Sequence, residues 1–255
     1  MSTSTAPTQQ ATSSTGGPDL AALYKHLRVV DVADALDGIG YFNLTLMSPE
    51  LRPLWSGMRF WGPAVTMRAV PSNKPMWKLD STQDIVEAHR IWFERYPATR
   101  LPDDLPANHV IVMESGGGPE VGFWGSENAM GAVGKGAAGI ITDGYCRDTA
   151  EIELQRTPVV ARRRGRTIIP GRIEVVEVQG TIACGGVRVD PGDVVGCDED
   201  GAVVVPAAVA EEVAVHARAI LLADMHARRR HYDAQGKKPD STVDADAVIA
   251  YYESL

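Results

Sequence analysis

Cysteine is scarce in this chain. Cys146, Cys184 and Cys197 are the three in 255 residues, far apart and outside any Cys-x-x-Cys or Cys/His pattern. That excludes a disulfide scaffold and a structural zinc site, and it fits a reducing, cytoplasmic setting. Long apolar runs are missing as well: no stretch approaches the roughly 20 residues that span a bilayer, so a soluble chain with no membrane partner is expected. Basic charge is in deficit, with 25 Lys and Arg against 33 Asp and Glu and a formal net charge of −8. Such a balance disfavours polyanions, and nucleic acid is not expected as a partner. The first eighteen residues, rich in Ser, Thr, Gln, Gly and Pro, lack the basic start and apolar centre of a secretory signal and read as a disordered tail.

What remains is ordinary in composition, 44% hydrophobic and long enough for one large domain. Apolar spacing gives a helix over 19–26 and a second with Asp31 as N-cap, stopped by Gly38 and Gly40. Met58 to Val70 reads as one long strand or a strand pair. A helix is expected from about Ser81 to Tyr96, followed by a Pro-rich loop, and His109 to Glu114 is another strand. Gly116-Gly117-Gly118-Pro119 makes a tight loop. Further strands follow at 158–161, 173–178, 181–189 and 194–205, with a closing helix at 207–230 and a short last one at 245–253. Arg162, Arg163, Arg164 and Arg166 form a basic cluster, read as a loop meeting a partner subunit or as a solvated face.

The chemistry concentrates between Gly125 and Glu151. A small-residue run from Glu127 to Gly136 has helical character and opens just after Gly125, so backbone N–H groups around Ser126, Glu127 and Asn128 are available to an anion. A short β-branched strand, Ala138 to Thr142, follows. Asp143-Gly144 is expected to turn the chain and deliver Arg147, Asp148 and Glu151. A guanidinium, a carboxylate and a helix start near one strand end suit a metal-bound carboxylate substrate. Taken alone, an Arg-Asp pair is more often a surface salt bridge. Gly134 to Gly139 is a literal Gly-x-Gly-x-x-Gly, but the helix precedes it and the strand follows, the reverse of a dinucleotide site. Ala129 stands where a phosphate loop needs glycine, and Gly136 where it needs Ser or Thr.

Gly125, Gly136, Gly139, Asp143, Gly144, Arg147 and Asp148, in this order, resemble the hallmark of the RraA-like family, which includes class II 4-hydroxy-4-methyl-2-oxoglutarate aldolases. Trp61 to Thr66, Ile182 to Val187, Asp190 to Asp193 and Asp198 to Pro206 are similar to further family segments. The resemblance implies an α/β fold, a compact β/β/α sandwich of the swivelling-domain type over 19–230. An insertion at about 73–106, lid or surface packing, and a C-terminal extension at 231–255 complete the chain. It also implies a homotrimer or homohexamer with sites between subunits. The implied activity is a lyase releasing pyruvate from a 4-hydroxy-2-oxo acid, with oxaloacetate decarboxylation as companion.

Six lysines, with Lys135 alone in the central block at a glycine-rich helix end, disfavour a Schiff base. A divalent cation, Mg²⁺ or Mn²⁺, held by Asp148 is the favoured route. In that reading Arg147 and Glu127 are catalytic, and Gly125, Ser126, Glu127, Asn128 and Arg147 bind substrate. Asp143, Glu151 and Asp224 are supporting carboxylates, Asp224 reaching a neighbouring subunit's site. Ser126 departs from the family, where an acidic residue commonly follows the helix glycine; Glu127 is its expected substitute. A second function of the same family is non-catalytic inhibition of an endoribonuclease, but a binding surface needs no metal-centred pair. A third, methyl transfer, lacks a glycine-rich strand-to-helix loop for its cofactor.

Overall fold

The computed structural model describes residues 19–116 and 118–255. The expected tail over the first eighteen residues and Gly117 of the triglycine loop lie outside the described residues. The strands are β1 (Arg52–Pro53), β2 (Phe60–Pro71), β3 (His109–Glu114), β4 (Gly122–Trp124), β5 (Ala137–Cys146), β6 (Val159–Arg164), β7 (Ile173–Val178), β8 (Ile182–Cys184), β9 (Val187–Val189), β10 (Val194–Asp198) and β11 (Gly201–Val205). The helices are α1 (Leu20–Tyr24), α2 (Val29–Gly38), α3 (Thr82–Val86), α4 (Ala88–Arg95), α5 (Ser126–Gly134), α6 (Thr149–Leu154), α7 (Ala210–Ala234) and α8 (Ala245–Glu253).

Strands β2, β3, β5 and β6 run parallel at the centre of the sheet. The long β2 is shared along its length: its start pairs with β10 and its end with β7, both antiparallel. Residues 45–53 then bring the two ends of the sheet together. Leu46 bridges Val203 of β11, and six residues on Arg52 and Pro53 pair with Ala161 and Val160 of β6. The sheet is therefore nearly closed.

Strand alternation sorts the side chains into separate cores. Val110, Val112, Ile141 and Val160 point inward with Val195, Cys197 and Val204, beneath the β8–β9 hairpin. Their neighbours Ile111, Met113, Ile140 and Val159 point to the opposite face, which α5 and α6 cover. On β10 and β11 the residues of the other face, Val194, Val203 and Val205, meet α1, α2, α7 and α8. Each fully buried Val or Ile stabilises the fold by about 1.5–3 kcal/mol. This is a mixed α/β fold with a nearly closed sheet, the class that the resemblance implied. The last helix belongs to the same packing, because Tyr251 and Tyr252 donate to the carbonyls of Ala22 and Leu23 at 3.0 Å each.

Several local expectations are corrected. Arg28, not Asp31, caps α2; Asp31 sits at the third helical position, fully buried, and accepts from the Arg28 amide at 3.0 Å and from its guanidinium. The paired cation is what allows that carboxylate inside. The helix expected from 81 to 96 breaks at Glu87 into α3 and α4. Arg162 to Arg164 lie in β6 rather than in a loop, with Arg162 paired to Glu50 at 2.7 Å. Most consequential, β5 does not turn at Asp143-Gly144 but continues to Cys146, because β4 and β6 give Tyr145 and Cys146 partners. Gly144 lets the strand pass Ser115, whose Oγ would lie 2.6 Å from any added Cβ.

All three thiols are buried, and burial pushes Cys146 up to about 12 and Cys184 and Cys197 upward as well. Thiolate is the reactive form, so an aromatic disulfide reagent at pH 8 is expected to leave the native chain unlabelled and to titrate three thiols in urea. Rapid labelling of any one without denaturant would contradict this packing.

Candidate active site

The turn the sequence places at Asp143 occurs instead at Arg147-Asp148. Asp148 adopts φ +53°, the left-handed region, and stands at the N-terminus of α6. Non-glycine residues enter that region rarely, with Asp among the tolerant ones. Its Oδ2 accepts from the backbone amide of Ser126 at 3.1 Å and from the Ser126 hydroxyl at 3.4 Å. The strand end β5–α6 is thereby tied to the start of α5, the segment that sequence reading marked for an anion.

Arg147 is fixed from both sides. Its amide donates to the Trp124 carbonyl at 2.9 Å, and its Nε lies 3.7 Å from Asp148 Oδ2. Two glycines make room for it. A Cβ at Gly122 would stand 2.6 Å from Arg147 Cβ, and one at Gly125 would stand 2.7 Å from Asp148 Oδ2 and 3.1 Å from Arg147 Nε. Neither glycine has a positive φ, so close approach, not backbone freedom, selects them.

Among the described residues Asp148 Oδ1 takes no protein hydrogen bond, and the side chain is 37% exposed. Among the described residues no group of three or more Cys, His, Asp or Glu side chains could hold a metal. The donor set therefore fits a hard cation bound by one carboxylate oxygen and completed by substrate and water, the usual manner of Mg²⁺. It does not fit zinc, which wants three or four protein ligands.

The other expected residues separate. Glu127 and Asn128 are exposed on the first turn of α5, and the Asn128 amide turns back to the Phe123 carbonyl at 3.0 Å. Glu151 is exposed on α6. Asp143 lines a different, smaller cavity of about 200 Å³ with Ser115 and Arg162; it accepts from the Ser115 amide at 2.7 Å, and burial raises its pKa. Asp224 is engaged within its own chain, 2.9 Å from Arg28 and 3.3 Å from Arg228, and Arg28 lowers its pKa.

Sequence reading missed three residues around this site. His89 of α4 has a buried Nε2 without a partner; burial lowers its pKa, with Arg147 acting in the same direction and Glu127 against it. Trp124 has a buried, unpartnered Nε1, and so has His109 at Nε2, while His109 Nδ1 lies 2.6 Å from the Pro106 carbonyl. The spacing of Trp92, Phe93 and Tyr96 reveals a helix face but not where that face lies.

A family model described as RraA-like, Aldolase/RraA, matches residues 29–204. The chain is 24% identical to Protein DlpA of Legionella pneumophila over 207 residues, covering 81% of this chain and 31% of that protein, so it spans about a third of that relative's length. It is 26% identical over 238 residues to a Halalkalibacterium halodurans protein named "Putative 4-hydroxy-4-methyl-2-oxoglutarate aldolase", covering 93% of this chain and 95% of the relative. The crystal structure of Streptomyces coelicolor RraAS2, described as an unusual member of the RNase ES inhibitor RraA family, superposes with a TM-score of 0.67 at 21% identity, covering 85% and 99%. That likeness is one of fold.

Gly125→Ala tests the clamp directly. The added methyl must push Asp148 off Ser126, at an expected cost of about 1–3 kcal/mol, read from urea unfolding. Faster hydrogen exchange of the Ser126 amide should accompany it. Unchanged stability and exchange would mean the close approach is not needed.

Proposed function

The chain belongs to the RraA-like family, and from that premise we propose that it is a lyase that cleaves a 4-hydroxy-2-oxo acid to pyruvate and a second carbonyl compound, with a Mg²⁺-class cation as cofactor. The observation that carries the reading is the Arg147–Asp148 pair clamped against the start of α5 by Ser126. A chain that only bound a protein partner would have no use for two glycines cleared around such a pair. The aldolase name of the Halalkalibacterium halodurans relative supports the same class.

Each residue has a chemical part. The substrate carboxylate meets the backbone N–H groups of Glu127 and Asn128 on the first turn of α5, where the helix dipole favours negative charge. Breaking the C3–C4 bond sends its electron pair toward the 2-oxo oxygen, and the Arg147 guanidinium beside that oxygen stabilises the enolate more than the neutral ketone. Glu127, exposed at the same turn, takes the hydroxyl proton through water. Held by Asp148, the cation would add electrophilic stabilisation of the same oxygen. Loss of CO₂ from oxaloacetate generates the same enolate and is the companion activity.

Assembly into a trimer or hexamer is part of this reading. Phe42, Leu44 and Leu46 expose 63%, 64% and 45% of their surface in one short segment, an apolar cluster of the kind a partner subunit would cover. Sedimentation of the chain as a monomer at micromolar concentration would remove this element.

The assay is pyruvate release from oxaloacetate and a panel of 4-hydroxy-2-oxo acids, with Mg²⁺ or with EDTA. EDTA and Asp148→Asn are each expected to lower kcat/KM by about 100-fold or more, and Arg147→Lys by about 10–100-fold through loss of the planar fork. Undiminished turnover in either variant refutes the assigned roles.

A further inference from the structure

A cavity of about 560 Å³ flanks α5, one residue along the chain from Ser126 of the Arg147–Asp148 clamp. Its walls are aromatic and apolar: Trp92, Phe93 and Tyr96 come from the 73–106 segment, Phe123 and Trp124 from β4, and Ile173 from β7. We propose that this cavity receives the leaving half of the substrate and that the leaving half carries an aryl group. The inference rests on the lyase reading above and names its substrate class.

Continuity with the clamp is the first argument. Glu127 and Asn128 line the cavity and directly follow Ser126, which holds Asp148. Helix α4 gives a further link: the charges of Arg147 and Glu127 reach His89, whose ring meets Phe93 of the cavity wall edge-on at 6.4 Å between centroids. One turn of a single helix thus links the reacting end to the aromatic wall.

Size and charge favour a bulky apolar leaving half over the small carboxylate that oxaloacetate loses. A volume of this order holds a drug-sized ligand, far more than a carboxymethyl fragment fills. The basic residues that line it, Arg100 and Lys135, are exposed at its rim, and Lys135 already faces Asp103 at 3.9 Å. Glu174 is tied to Lys74. No buried cation waits for a second carboxylate. Trp124 Nε1 and His109 Nε2 lack a partner among the described residues, but both atoms are buried beneath the wall and offer nothing to a carboxylate either. Both residues are at least 96% buried in the cavity wall, and leaving such atoms unpaired costs stability.

The reaction is a balanced cleavage. In a 4-aryl-4-hydroxy-2-oxobutanoate the hydroxyl loses its proton, the C3–C4 bond breaks, and C4 leaves as the aromatic aldehyde. The electron pair passes to the enolate, which takes a proton at C3 to become pyruvate. Nothing is oxidised or reduced.

Calorimetric titration of the full chain in Mg²⁺ with 4-phenyl-2-oxobutanoate and with 2-oxobutanoate separates the possibilities, because neither ligand can be cleaved. The phenyl compound is expected to bind at least tenfold more tightly. Gly131 lines the cavity on α5 with open space where a Cβ would stand, so Gly131→Leu should fill the cavity without strain and abolish that advantage. In turnover, 4-hydroxy-4-phenyl-2-oxobutanoate should exceed 4-hydroxy-2-oxopentanoate at least tenfold in kcat/KM. Equal binding of the two ligands, as when a second copy of the chain covers the cavity, overturns the aryl assignment while leaving the lyase reading intact. Tight phenyl binding without pyruvate release from any hydroxy acid supports the cavity assignment and overturns the lyase reading.

Discussion

The hydrogen bond from the Ser126 amide to Asp148 joins two parts of the chain that would otherwise be unrelated, the first turn of α5 and the end of β5. It exists because position 125 has no side chain, and it spends one carboxylate oxygen while leaving the other open. The left-handed backbone at Asp148 then has a cause. A residue in an extended or helical conformation there would not aim its carboxylate back across the turn, and the network around it holds the uncommon conformation in place. Arg147, one residue earlier and anchored on the Trp124 carbonyl, follows from the same turn.

The rest of the fold supplies rigidity to that junction. Parallel strands β3, β5 and β6 fix the strand end, and buried Ile152 of α6 and Ala129 of α5 seat both helices on the same apolar layer. Sites built on such elements keep their geometry more closely than sites on free loops. The 73–106 segment adds a wall to this frame. Trp92, 1% exposed, anchors α4 on that wall, with Trp77 stacked at 6.3 Å and Tyr96 edge-on at 4.7 Å.

How much of this was legible depends on which force decides each element. His109–Glu114 feeds two cores by turns, so it reads as an unbroken apolar run whose polar ends mark its limits. The last helix is found as readily, because its apolar face is continuous. Asp143-Gly144 misleads, since the dipeptide that ordinarily reverses a chain is used here to slip a strand past Ser115. Capping of α2 misleads for a related reason: Asp31 caps backward onto Arg28, and only the tertiary contact to Asp224 and the buried surroundings choose between the two registers. At the site, the motif residues Gly125, Arg147 and Asp148 come together. Asp143, in the same motif, serves a neighbouring pocket instead. His89, Trp124 and His109 carry no local signal, because what distinguishes them is a buried atom left unpaired among the described residues by the packing of distant segments.

The stitch at 45–53 has a consequence for how the molecule is made. Its two partners, β6 and β11, lie more than a hundred residues downstream, so on the ribosome the early half of the sheet waits with raw edges until residue 205 has left the exit tunnel. Unpaired edges of that kind recruit other chains. The newborn chain is therefore most in need of a chaperone before its last hairpin emerges, and its vulnerability ends abruptly when the ring of strands shuts.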